Sequence, residues 1–484
     1  MSVCGYPRWS RLRPWLRPVV FGLALTGVAA CSLAPPYELP ALPVESRYPA
    51  DAPVAPAAQR AADTGWQDYF ADPALRRLIG QALDNSRDLR AAVLRVEEAR
   101  AAFGIRRADR FPTVGLGFEG VRGRTPADLS ITGEAVTSGQ YQMGISLASW
   151  ELDLWGRVRS LEGAALEEFL ATEAARRAVT VSVVAQVADA YLTLRELDER
   201  IVLAQRTIDT RQESFRIFSR RVEVGATSRL DLAQVETLLT QAQALGAQLE
   251  QARALQAHAL AVLVGAPLDL PAAATRLDDD LILHELDAGL PSELLTGRPD
   301  IVAAEHRLKA AHASIGAARA AFFPRIALTA SAGSASAALD GLFEPGSGAW
   351  RFAPTISLPI FDAGRNRAGL DLAEVRRDLA VASYEKTVQQ AFREVADALA
   401  ARHWLEAQLG IQRAALATQV ERARLAKLRY DNGAARYLEV LDAQRDLLAA
   451  EQQVVQTRRA LLSSRVALYA ALGGGAQESE RTPR

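Results

Sequence analysis

The stretch LASWELDLWGR, Leu147 to Arg157, begins as an alternating strand and ends as the first turn of a helix. A looser echo, ISLPIFDAGR, runs from Ile356 to Arg365, so that Gly156-Arg157 and Gly364-Arg365 stand 208 residues apart. Other pairs keep nearly that spacing. FGIRRADRFP (Phe103 to Pro112) matches SIGAARAAFFP (Ser314 to Pro324) at 212, VADAYLTL (Val187 to Leu194) matches VADALAAR (Val395 to Arg402) at 208, and VGATSRLDLAQ (Val224 to Gln234) matches NGAARYLEVLD (Asn432 to Asp442) at 208. Matches in one order with nearly constant offset mean that a whole structural unit is duplicated.

Each copy carries two alternating segments. In the first, Val114, Leu116 and Phe118 interleave with Gly115, Gly117 and Glu119, and Tyr141, Met143, Ile145 and Leu147 with Gln142, Gly144, Ser146 and Ala148. In the second, Ile326, Leu328 and Ala330 interleave with Ala327, Thr329 and Ser331, and Phe352, Ile356, Leu358 and Ile360 lie on one side against Ala353, Thr355 and Ser357. A period of two turns one face to an apolar medium and the other to small and polar groups. The polar set is rich in Gly, Ala, Ser and Thr, which suits a lumen better than the second layer of a soluble sandwich. Four strands do not close a barrel, for which about eight is the practical minimum, and an open sheet in lipid strands backbone groups at several kcal/mol each. The pattern therefore requires a barrel shared between chains.

The segments after the corners read as very long helices. No proline occurs from Ala127 to Ala266 or from Ile360 to Thr482. Leu447, Val454, Leu461 and Leu468 repeat every seven residues, and Leu441, Leu448, Val455, Leu462 and Tyr469 form a second column beside them. Val235, Leu238, Ala242, Leu245, Leu249 and Ala252 make the counterpart seam. Two adjacent columns predict a helix packed on two sides, as in a ring of helices. Trp150, Trp155 and Phe361 fall at the corners, where aromatics mark a membrane boundary.

Composition agrees: 49% hydrophobic, 23% charged and 6% aromatic residues suit long helices, and a formal net charge of −1 offers no basic excess for nucleic acid. Arg8, Arg11, Arg13 and Arg17 precede the apolar run Val19 to Val28, too short to span a bilayer and flanked like an export signal. It ends in Val28-Ala29-Ala30-Cys31, which resembles a lipoprotein box with Cys31 as the acylated first residue. Removing residues 1–30 takes away four arginines and Cys4, leaving a formal charge near −5, one cysteine and no disulfide framework. Seven prolines between Leu33 and Pro56 read as an extended tether.

Three apparent motifs lead elsewhere. GLGFEG (Gly115 to Gly120) fits a dinucleotide fingerprint but lies in a strand and opens no helix. Ser383 and Lys386 fit S-x-x-K without the S-D-N or K-T-G that acyl-transfer enzymes pair with it. His306 and His312 are six apart, on different faces of a helix, and do not make a metal pair. No enzyme chemistry and no cofactor is expected.

With SWELDLWGR, TGRPDIVAAEH, SIGAARAAFFP, LPIFDAGR, FREVADALAAR and LDAQRDLLAAEQQ, and CSLAPPYELP at the mature start, the chain from Cys31 to Gly475 resembles the outer-membrane efflux proteins of the TolC type, lipoprotein (OprM/NodT-like) branch. The resemblance implies a mainly α protein with a membrane β-barrel: a homotrimer whose 12-stranded barrel continues into a periplasmic α-helical barrel. It implies an outer-membrane channel, lipid-anchored and reaching into the periplasm, that takes small toxic molecules from a periplasmic adaptor (membrane fusion) protein and an inner-membrane proton-driven pump. The alternative is the outer-membrane conduit of a type I protein secretion system. The organisation is then a signal peptide at 1–30, an acylated tether at 31–62, a first repeat at 63–267 with strands near 112–121 and 140–150, and a connecting segment at 268–297. A second repeat follows at 298–475 with strands near 324–333 and 351–360, and a tail at 476–484.

The same resemblance assigns sites. The glycine-bearing turns Val224, Gly225, Ala226, Thr227, Ser228 and Asn432, Gly433, Ala434, Ala435 correspond to adaptor-docking tips. Tyr430, Glu439 and Asp442 match the constricting tyrosine and acidic rings of the family's periplasmic gate. Related tips carry a latching Arg or Asp where this chain has Ala435, with Arg436 beside it, and Arg436 is placed to pair with Asp231 or Glu439.

Overall fold

The computed structural model describes residues 33–45, 48, 59–61, 64–269, 277–282, 286–287 and 291–476. Cys31 and the signal stretch lie outside the described residues, as do parts of the tether and connecting segment and most of the tail. The duplication is plain in the elements. The first copy runs α2 (Arg87–Ala108), β1 (Val114–Thr125), β2 (Val136–Glu151), α3 (Arg157–Glu223) and α4 (Arg229–Val264), after a leading helix α1 (Pro73–Asn85). The second runs α5 (Pro299–Ala320), β3 (Arg325–Ser336), β4 (Gly348–Ser357), α6 (Arg365–Asp431) and α7 (Tyr437–Ala471). α2 and α5 have 22 residues each, α3 and α6 have 67 each, and α4 and α7 have 36 and 35. A 67-residue helix has a contour of about 100 Å at 1.5 Å per residue.

Among the described residues, one compact unit holds 33–39, Glu98–Phe169 and His306–Ala382. Its centre is a four-stranded antiparallel sheet in the order β1-β2-β3-β4, so the two hairpins of the repeats join through β2 and β3. Opposed residues share a face. One face collects Val114, Leu116, Phe118, Tyr141, Met143, Ile145, Leu147, Trp350 and Phe352; the other collects Glu119, Gln140, Gln142, Ser146, Ser331 and Arg351. The register slips between Leu147 and Trp150, where Ser149 sits at φ 37°. Leu147 and Trp150 are three apart and belong to opposite faces of a regular strand, and this bulge returns Trp150 to the apolar side. β4 ends at Ser357, so Leu358 and Ile360, on either side of Pro359, lie beyond the ladder and before the corner.

Both corners turn by the same means. Asp153 accepts hydrogen bonds from the amides of Val158 (3.0 Å) and Arg159 (2.9 Å), and Asp362 accepts from those of Gly364 (3.0 Å) and Asn366 (2.9 Å). Each carboxylate satisfies amides that a helix start leaves open and sits at the positive end of the dipole. Gly156 and Gly364 take the left-handed conformation, φ 73° and 83°. The Trp155 indole N–H donates to the Pro324 carbonyl (2.8 Å) and its ring stacks on Phe323, while Phe361 is 90% exposed.

The other unit holds the described residues of 40–97, 170–305 and 383–476. The predicted columns of α7 are buried, Val454, Leu461 and Leu468 in one and Leu441, Leu448, Val455, Leu462 and Tyr469 in the other, with Leu447 half-buried at the start of the first. Val454 and Leu461 pack with Leu409 of α6, and Leu441 packs with Phe218 of α3 and Val235 of α4, which is the two-sided packing the sequence required. A polar and aromatic knot ties α1 in place: Tyr69 stacks on Tyr469 at 4.2 Å, Tyr191 donates to Asp72 (2.6 Å), and Tyr469 donates to the Thr64 carbonyl (2.8 Å).

Candidate functional site

The two helix-to-helix turns are built alike. In the first, the Ala226 amide donates to the Arg221 carbonyl (2.7 Å) and the Gly225 amide to the Val222 carbonyl (3.0 Å), with Gly225 at φ 72°. In the second, Ala434 donates to Arg429 (2.8 Å) and Gly433 to Tyr430 (2.9 Å), with Gly433 at φ 71°. Both are Schellman motifs, in which a left-handed glycine closes the helix and frees the chain to reverse.

They differ at the helix that follows. Ser228 caps α4 in a full capping box: the Asp231 amide donates to its hydroxyl (3.0 Å), and the Ser228 amide (3.2 Å) and hydroxyl (2.7 Å) and the Thr227 hydroxyl (2.9 Å) all donate to the Asp231 carboxylate. These bonds hold the Asp231 carboxyl below the usual carboxylate range, the Ser228 hydroxyl contributing most. Arg436 occupies the same position before α7 and provides no side-chain cap.

Of the expected gate residues, Tyr430 packs against Tyr437. The Tyr430 hydroxyl accepts from Arg221 (2.5 Å), the Tyr430 and Tyr437 rings lie 4.9 Å apart, and Tyr437 meets Phe218 at 4.5 Å and shares a 2.6 Å hydrogen bond with Ser214. The α6–α7 hairpin is thereby fastened to α3. Glu439 pairs with Arg429 (2.9 Å) and Asp442 with Arg445 (3.3 Å). Arg436 forms no ion pair among the described residues: Glu439 is held by Arg429 and Asp231 by its cap, to which the Arg436 charge adds only a minor lowering of the carboxyl. Arg221 and Arg429 escaped the sequence reading although they stand 208 apart, at one position of the repeat.

On the polar face of the sheet a groove of about 650 Å³ is lined by Glu119, Gln142, Ser146, Ser331 and Arg351, with Gln142 donating to Glu119 (2.8 Å). The segment from Leu33 to Tyr37 lies along α5. Arg319 donates to the Leu33 carbonyl (3.4 Å), Ala34 fills the notch left by Gly316, and the Tyr37 ring sits against His312 (5.5 Å) and beneath Lys309 (5.4 Å). His306 pairs with Glu167 (2.7 Å).

Residues 78–266 and 290–474 match the family model described as outer membrane efflux protein. The chain is 46% identical over 458 residues to the toluene efflux pump outer membrane protein TtgI of Pseudomonas putida, covering 93% of this chain and 97% of that one. It is 45% identical over 478 residues to outer membrane protein OprJ of Pseudomonas aeruginosa, covering 96% and 98%. The solved open state of the MtrE outer membrane channel of Neisseria gonorrhoeae superposes with a TM-score of 0.85 at 41% identity, over 93% of this chain and 100% of that one.

Proposed function

The chain belongs to the outer membrane efflux protein family, as an outer-membrane component of tripartite efflux, and from that premise we propose that three copies close their sheets into one twelve-stranded barrel continuous with a helical tube. The observation that carries this is the sheet itself. Its edges, β1 and β4, have no further strand among the described residues, and in hydrocarbon their open backbone groups would cost several kcal/mol each unless another copy pairs with them. The face bearing Glu119 and Arg351 then lines the lumen, and the face bearing Phe118 and Phe352 meets lipid.

The glycine turns at Gly225, Ala226, Thr227, Ser228 and at Gly433, Ala434, Ala435 receive the periplasmic adaptor, and an inner-membrane proton-driven pump delivers the cargo. Toluene in the name of TtgI supports small toxic molecules as the exported class. Tyr430, Glu439 and Asp442 constrict the periplasmic mouth at rest, and Arg436, which makes no ion pair among the described residues, reaches a neighbouring copy. Lipidation at Cys31 adds an anchor beside the barrel, and Leu33, held against Arg319, fixes where that anchor begins.

The test is purification of the chain from crosslinked cells, with identification of what accompanies it. An adaptor and a proton-driven pump are expected; a secretion ATPase in their place would favour the protein-secretion conduit. Ala226→Arg and Ala434→Arg should lose the adaptor and keep the trimer, and loss of the trimer as well would assign these turns to folding alone.

A further inference from the structure

The apolar face of the sheet changes character along β1. From the helix-proximal end it presents Val114, Leu116 and Phe118, then Gly120, then Arg122 and Arg124, opposite Leu147, Ile145, Met143, Tyr141, Gly139 and Thr137. All six positions of β1 are on one side, since alternate residues of a strand share a face. The apolar column thus ends in two guanidinium groups next to the hairpin, away from the helices. Arg122 is eight residues beyond Val114. At about 3.3 Å per residue and a tilt of about 40°, Arg122 stands about 20 Å and Arg124 about 25 Å above Val114, and the apolar band of such barrels is about 25 Å tall. Both arginines therefore lie at the outer border of the hydrocarbon.

The surroundings form a seat. A Cβ on Gly120 would meet the Tyr141 ring at 3.0 Å, and one on Gly139 would meet that ring at 3.2 Å and the Ala337 carbonyl oxygen at 2.7 Å, so the ring lies against the sheet over two glycines. Beside it a groove of about 670 Å³ is lined by Arg122, Thr137, Tyr141, Leu339 and Asp340. Charge balance separates the two rims. At the helix-proximal rim Arg157 and Arg325 share Glu151, Arg110 pairs with Glu162 and Arg159 with Asp153. Neither Arg122 nor Arg124 has a hydrogen bond or ion pair among the described residues. Two guanidinium groups without an ion pair, with the single carboxylate of Asp340 in the groove beside Arg122, call at the edge of an apolar medium for an anion from outside the chain.

We propose that Arg122 and Arg124 bind a phosphate of lipid A, the phosphorylated glycolipid headgroup of the outer leaflet, with the Tyr141 ring packed beneath its sugar and first acyl carbons. The planar guanidinium presents paired donors to phosphate oxygens, and the aromatic ring belongs at the level where headgroup meets chain. This rests on the barrel reading above, in which the Phe118 face meets lipid.

The experiment is native mass spectrometry of the purified full-length channel titrated with lipid A, its dephosphorylated form, phosphatidylglycerol or inorganic phosphate. Lipid A should remain bound, with the other three retained at least tenfold less. Arg122→Gln with Arg124→Gln should weaken lipid A binding about tenfold to thirtyfold while the trimer and its conductance stay as in the parent, and Arg122→Lys with Arg124→Lys should restore part of the affinity. Undiminished lipid A binding by the glutamine variant would overturn the proposal, as would equal retention of phosphatidylglycerol. Loss of the trimer in the glutamine variant, with lipid A binding absent from the parent, would assign the arginines to a contact between copies instead. A parent that purifies only as a monomer would remove the barrel reading itself.

Discussion

Replacing Tyr430 by Phe removes one hydroxyl and leaves the ring, its 4.9 Å approach to Tyr437 and the apolar cluster around Ala426, Val440 and Ala443 in place. What is lost is the bond from the Arg221 guanidinium, which ties the α6–α7 hairpin to α3. A hydrogen bond to a charged group is worth about 1.5–3 kcal/mol when shielded, and this one is solvent-exposed, so about 1 kcal/mol is the fair value. If the mouth opens by swinging that hairpin away, three copies lose the tie together, and about 3 kcal/mol shifts the ratio of open to closed states by about a hundredfold. Single-channel recording in planar bilayers reads that ratio directly. An open fraction within twofold of the parent would refute the reasoning, because it would mean that the hydroxyl contributes equally to both states or that the hairpin does not move.

Other consequences follow from the same region and from the repeat. Glu439→Gln with Asp442→Asn should shift the reversal potential in a salt gradient toward zero, since three copies of each carboxylate around one axis favour cations; an unchanged potential would place the selectivity elsewhere. Gly265→Ala should lower the thermal midpoint followed by circular dichroism far more than Gly433→Ala. Both positions are left-handed, at φ 70° and 71°, which costs an alanine about 1–2 kcal/mol, but a Cβ at Gly265 would also lie 2.6 Å from the Asn85 carbonyl oxygen while Gly433 faces open space. Equal shifts would show that Asn85 yields. Asp231 titrates below its ordinary value in the folded tip, so its contribution is complete above about pH 4 and lost as the pH falls through that depressed value. Exchange protection of the 227–232 amides, corrected for intrinsic rate, should therefore be flat from pH 7 to 5 and fall below about pH 4, and Asp231→Asn should abolish that fall.

The duplication, the helix lengths and the two faces of the sheet were legible because each depends on a local period that the residues state outright. Two apolar columns one position apart on α7 could be buried only by neighbours on two sides, and they are. Less was legible where the period breaks. The bulge at Ser149 is needed because Leu147 and Trp150 must face one way, and no residue type there announces it. β1 and β2 extend to Thr125 and back to Val136 through Arg122, Gly123, Arg124 and Gly139, whose hydropathy does not alternate, and backbone pairing alone carries the ladder that far. The docking of Leu33, Ala34 and Tyr37 along α5 depends on a notch at Gly316 that a proline-rich composition does not reveal. At the tips, position within the repeat was the missing signal: Arg221 and Arg429 are equivalent, yet one holds Tyr430 and the other Glu439.

That inequality has one cause. Asp231 and Glu439 are equivalent acidic residues at the third position of their helices, and Ser228 and Arg436 are the equivalent residues before them. With serine in place, the first acid folds back into the capping box; with arginine in place, the second has no hydroxyl to answer and turns to Arg429 instead. The α7 start is therefore the less secured of the two, and it is the one that carries the proposed gate, as expected of an element that must move. Arg436→Ser would complete a serine-x-x-glutamate box and should stabilise the α7 start by about 1 kcal/mol. The amides of residues 437–440 should then exchange more slowly, and the channel should open less often in planar bilayers. Slower exchange with more frequent opening would show instead that Arg436 holds the closed mouth through a neighbouring copy and that the missing cap is incidental to the gate.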